Sequence, residues 1–135
     1  MYNKTKAPEF LTNKNLHNMC KNVLVVLSEN FVDEKRESAY FSSARELITK
    51  GSAFPTKITF HNKKTDSHKD LKDQILKRPD VILFDCCGKA TIKKTTENLC
   101  SKVKSKTLFC SIRSEHEISN VSNVKNFTEA ASLIK

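Results

Sequence analysis

Two unbroken apolar runs stand out of an otherwise polar chain, Val23-Leu24-Val25-Val26-Leu27 and Val81-Ile82-Leu83-Phe84. Neither alternates with polar residues, which suits strands covered on both faces, as parallel strands of α/β proteins are. The first run, within residues 22–28, is rich in β-branched side chains and predicts a strand. The second is bounded by Pro79 and Gly88 and runs into Asp85, Cys86 and Cys87. It predicts the central strand around which the other elements are arranged.

Between and beyond these runs the period changes. Tyr40, Ala44, Leu47 and Ile48 fall at i, i+4, i+7 and i+8, the buried stripe of a helix. Asp33 is placed to cap its start and Gly51 to close it in a left-handed conformation. Residues 55–60 alternate, with Ile58 and Phe60 on one face and Lys57 and Thr59 on the other, as in a half-exposed edge strand. After a polar loop at 61–66, Ser67 and Asp70 resemble a capping pair, with Asp for the usual Glu, ahead of Leu71, Ile75 and Leu76. Pro79 ends that short helix.

Past the central strand, Ile92, Leu99 and Val103 mark one face of a third helix running to about Lys104. Residues 106–112 predict a fourth strand, with Leu108, Phe109 and Ile112 apolar. Residues 113–123 are polar and hold at most a brief helical turn. Residues 124–127 predict a short fifth strand, and Thr128 a cap for a final helix through Leu133 and Ile134. Residues 1–20 lack periodicity and are expected to form a flexible amino-terminal arm, leaving 21–135 as a single domain. Alternating strands and helices imply right-handed crossovers and a mostly parallel five-stranded sheet: a three-layer α/β sandwich, flavodoxin-like in class.

Length and composition agree with this. A chain of 135 residues, 38% hydrophobic and 29% charged, can bury one core without staples. No apolar run approaches the roughly 20 residues of a membrane span, and the amino terminus lacks the apolar centre of a signal peptide. A cytoplasmic protein without membrane association is therefore expected. Twenty-four Lys and Arg against fifteen Asp and Glu give a net charge of +9, which favours acidic partners. Lysine dominates and aromatics are only 7%, so the excess reads first as solvated surface. The five cysteines contain no C-x-x-C and the four histidines are scattered, so neither a metal site, a cofactor nor a disulfide framework is implied. Cys86, Cys87 and Cys110 lie in or beside strands and read as small buried hydrophobes. His61, His68 and His116 have no Ser or Cys at a recognisable spacing and read as surface residues.

Two places carry candidate chemistry. Asp85 ends the central strand, and in open α/β sheets the carboxyl ends of such strands form the ligand crevice. The same carboxylate can instead cap the following loop or helix. Gly88, Lys89, Lys93 and Lys94 place positive charge where the third helix starts, and an anion bound there would relieve it. No Walker or dinucleotide glycine pattern accompanies them. Cys87 and Lys93 share the spacing of a Cys-x5-Arg phosphatase loop, but Lys lacks the bidentate fork such a loop needs.

Arg78-Pro79-Asp80-Val81-Ile82-Leu83-Phe84-Asp85 is similar to the third strand of response-regulator receiver domains, which reads Pro-Asp, three or four apolar residues, then the phospho-accepting Asp. Val124-Lys125-Asn126-Phe127 resembles the Lys-Pro-Phe that follows strand five in that family. The resemblance implies a receiver-like pocket in which Asp85 takes the acceptor position, Lys125 contacts the phosphoryl group and Ser111 matches the strand-four Ser or Thr. Where receivers carry an acidic pair for Mg²⁺ after strand one, this chain has Leu27-Ser28-Glu29. Glu29 and Asp85 alone hold a hard divalent ion poorly. An atypical receiver, or pseudo-receiver, follows. Its expected role is a non-catalytic regulatory module with a protein partner. The alternative is nucleic-acid or nucleotide binding through Lys89, Lys93, Lys94, Lys102, Lys104 and Lys106, and a small phosphate-handling enzyme comes third.

Overall fold

The computed structural model describes residues 20–86, 107–113 and 121–134. Their elements run β1 (Lys21–Leu27), α1 (Glu34–Gly51), β2 (Thr56–Asn62), α2 (His68–Leu76), β3 (Val81–Asp85), β4 (Leu108–Ile112), β5 (Ser122–Val124) and α3 (Phe127–Ser132). All four pairings are parallel and the strand order is β2-β1-β3-β4-β5. That is the flavodoxin-like order, with the two unbroken apolar runs at its centre. The expected arm at 1–20 and the expected helix at 92–104 lie outside the described residues, apart from Cys20.

Strand side chains alternate between two cores, one on each side of the sheet. Val23, Val25, Val81, Leu83, Cys110, Ile112 and Val124 face α1 and α3, meeting Ala44, Ile48, Phe127, Ala130 and Ile134. Leu24, Val26, Ile82, Phe84, Cys86 and Phe109 face α2 and meet Leu71. Three layers result, and the continuous apolar runs are explained by burial on both faces. In register, Leu27 lies beside Asp85, and Asp85 beside Ile112.

The helix ends follow their local chemistry. Asp33 accepts from Arg36 N–H at 2.8 Å, and Glu34 and Glu37 in the first turn and Lys50 in the last complement the helix dipole. Ser67 caps α2 by accepting from Asp70 N–H at 3.1 Å. Arg78, at φ 55°, takes the left-handed conformation just past Lys77, and Pro79 completes the stop.

Four sequence expectations are corrected. Gly51 is helical, and the cap is Ser52 in an extended conformation, its N–H bonded to the Ile48 carbonyl. Glycine at 51 serves a close helix crossing instead, since a Cβ there would stand 2.9 Å from the Ala131 Cβ. Gly51→Ala is expected to destabilise by about 1 kcal/mol as overpacking outweighs the gain in helix propensity. Urea unfolding would show this, with Ala131→Gly restoring most of the loss; a stabilised Gly51→Ala protein would contradict the crossing. β2 runs on to Asn62 rather than ending at Phe60, because hydrogen bonds satisfy its last two polar side chains. β5 ends at Val124, and the α3 cap is Asn126, which accepts from Glu129 N–H at 2.8 Å. Phe127 is therefore the first helical residue, buried against the core, and Thr128 is not a cap.

Candidate functional site

Asp85 closes β3 at the carboxyl end of the sheet with no exposed surface. A carboxylate so buried needs compensation, and bonds from Arg113 and Tyr40 are part of it. Arg113 donates from Nε to Oδ1 at 3.2 Å and from Nη2 to Oδ2 at 2.5 Å, a bidentate fork. Tyr40 donates its hydroxyl to Oδ2 at 2.6 Å. Arg113 immediately follows β4, where its N–H bonds the Val124 carbonyl at 3.1 Å and its φ is 55°. Tyr40 comes from α1 and also packs against Phe31, Phe41, Phe60 and Phe127, with ring centroids 5.5 to 6.5 Å apart. The site thus ties β3 to both β4 and α1.

Of the other residues of the expected pocket, Glu29 and Lys125 follow β1 and β5 at the same carboxyl end of the sheet as Asp85, whereas Ser111 faces away from it. Ser111 pairs in register with Phe84, on the α2 face, opposite to the face that Asp85 shares with Ile112. It is fully buried, with its hydroxyl 3.4 Å from the Cys86 thiol. The backbone of Glu29 is clasped by the Asn62 side chain, which accepts from Glu29 N–H at 3.1 Å and donates to its carbonyl at 2.9 Å. Lys125 is exposed in the turn between β5 and α3. Gly88, Lys89, Lys93 and Lys94, and the basic set Lys102, Lys104 and Lys106, lie outside the described residues, as do Cys87 and His116.

Cys86 and Cys110 are buried on opposite faces, and burial raises the Cys110 thiol to about 11. A thiol held protonated in this way is a poor nucleophile. Lys63, whose N–H bonds the Leu27 carbonyl at 2.8 Å, has its ammonium pKa lowered by desolvation.

His61 is a correction, because it is buried, 1% exposed, rather than a surface residue. Its Nδ1 lies 2.7 Å from Asp70 Oδ2 and 3.9 Å from Asp66 Oδ2, tying the end of β2 to the first turn of α2. Among the described residues these three bring one ligand atom each within 4.8 Å of the others. The positive end of the α2 dipole sits there and disfavours a cation, so the arrangement works as a structural tie. The bond from His61 holds the Asp70 carboxyl below its usual range. The tie is accordingly at full strength above the ordinary carboxylate pKa, near 4, and is lost as pH falls through the depressed value. Asp70→Asn should flatten the acid limb of a stability profile below about pH 4; an unchanged limb would contradict the tie. The effect is reduced by solvent screening, because Asp70 is partly exposed.

The sequence marks Asp85 as a crevice residue but does not mark Tyr40 or Arg113 as its partners. Tyr40 was legible only as part of an apolar stripe. Arg113 carried one signal: it directly follows Ile112, the residue beside Asp85 in a parallel register. Fold and site together define a parallel α/β sandwich whose central-strand carboxylate is held by its own chain. No family model matches this chain, and neither a curated protein nor a solved structure matches it. Among the described residues no helix is long and apolar enough to cross a membrane.

Proposed function

We propose that this protein is a non-catalytic regulatory or protein-interaction module with a pseudo-receiver fold. The observation that supports this most is the state of Asp85. A phospho-acceptor must present a carboxylate oxygen to an incoming phosphoryl group, and a neighbouring metal ion must screen the charge that gathers there. Here Arg113 supplies the positive charge from within the chain, and both carboxylate oxygens accept bonds from Arg113 or Tyr40. Attack by Asp85 would require breaking the fork and exposing a fully buried group. The position that does chemistry in a receiver thus fastens strands and helix together, and the module acts by presenting a surface.

Incubation with Mg²⁺ and a small acyl phosphate, followed by intact mass measurement, tests this. The expected mass is unchanged. A stoichiometric phosphoryl adduct that disappears in Asp85→Asn would sink the proposal.

A further inference from the structure

A cleft lies at the amino-terminal end of the strands, opposite to the Asp85 end, on the face that α2 covers. α2 has only nine residues and packs on this face through Leu71 and Ile75. Among the described residues it leaves the first positions of β1 and β2 without a helix over them. The result is a cleft of about 300 Å³ whose lining includes Asn22, Leu24, Lys57, Thr59, Gln74 and Lys77. Lys57 pairs in register with Asn22 and Thr59 with Leu24, so a cation and a hydroxyl stand on the inner face of the sheet, where a fully covered strand would carry apolar residues.

We propose that this cleft binds the phosphate group of a small phosphate monoester. Lys57 and Lys77 reach it from two different elements, and among the described residues neither has a carboxylate within 4.0 Å. Asp80, at the same end of the sheet, is engaged by the Asn22 backbone N–H at 2.8 Å. The Thr59 hydroxyl adds a donor, and two ammonium groups with a hydroxyl suit a tetrahedral dianion. The carboxyl end of α2 opposes this with roughly half a negative charge, as do the carboxylates of Asp70, which acts on Lys77 through space, and Asp80; Asp70 is already held by His61, and Asp80 by the Asn22 N–H. Leu24, Pro79 and Asn22 line the remaining space and suit a short polyol or sugar. The volume is at the small end for ligand sites, enough for a sugar phosphate and too little for a dinucleotide. Because the cleft is at the far end of the sheet from Asp85, its failure would leave the pseudo-receiver proposal untouched.

The test is titration of the full chain with ribose 5-phosphate and, separately, with inorganic phosphate, read by calorimetry and backbone amide NMR shifts. Saturable binding of the ester is expected, with shifts centred on Asn22, Thr59 and Gln74. It should weaken with added salt, and at least about tenfold in Lys57→Gln/Lys77→Gln. Both lysines are exposed, so this variant should fold, as its circular dichroism would verify. Absence of saturable ester binding at millimolar concentration and low salt, or binding that the double substitution leaves unchanged, would overturn the site. Inorganic phosphate binding as tightly as the ester would overturn the monoester assignment.

Discussion

Arg113→Ala is expected to lower the unfolding free energy by about 3 kcal/mol, which for a domain of this size is about 10 °C in Tm. The loss comes from stranding a charge rather than from losing an attraction. Asp85 has no exposed surface, so removing the guanidinium leaves a carboxylate in the core with the Tyr40 hydroxyl as one remaining donor. Breaking a buried pair from one side typically costs about 3–5 kcal/mol. The lower end applies here because Arg113 is itself 49% exposed and its charge is partly screened by solvent. Backbone strain does not enter the comparison, since arginine and alanine bear the φ of 55° alike. Arg113→Gly separates the two effects: it loses the same fork but relieves about 1 kcal/mol of left-handed strain, so it should be the more stable variant. Urea denaturation of both proteins measures this. An Arg113→Ala protein within about 0.5 kcal/mol of the parent would mean that the fork adds little to stability.

Phe84→Ala should cost about 4 kcal/mol, within the range for deleting a buried aromatic side chain. Among the described residues Phe84 is the largest fully buried side chain; it lies on the central strand and packs in the core under α2 with Leu24, Val26, Leu71, Ile82 and Phe109. Strands on both sides fix its position, β1 through Val26 and β4 through Ser111, so the surroundings cannot collapse into the space. Phe84→Leu, which keeps much of the volume, should cost less than half as much. Equal losses for the two substitutions, measured by the same denaturation, would argue against a tightly packed core at this position.

The apolar runs made the fold legible. Strands buried on both faces must be continuously apolar, and residues 23–27 and 81–84 can be little else. Caps with a side-chain acceptor, Asp33 and Ser67, were equally readable because their chemistry is local. What escaped was whatever depends on a distant partner. His61 and Asn62 look like loop residues until Asp70 and the Glu29 backbone satisfy them inside the fold. Gly51 looks like a helix stop until Ala131 is seen against it. At the candidate site the central carboxylate was visible from its place after an apolar run. Its partners, Tyr40 and Arg113, lie 45 positions before it and 28 after it, where periodicity carries no information.

Arg113 engages Asp85 across the carboxyl end of the sheet, and a double-mutant cycle on unfolding free energies tests that most directly. Asp85→Asn keeps an acceptor for Tyr40 and removes the charge, Arg113→Ala removes the fork, and the double variant removes both. The predicted result is strong coupling, with the double variant less destabilised than the sum of the single ones by about 2 kcal/mol. Additivity to within about 0.5 kcal/mol would show that the two residues act independently, which would contradict the Asp85–Arg113 fork.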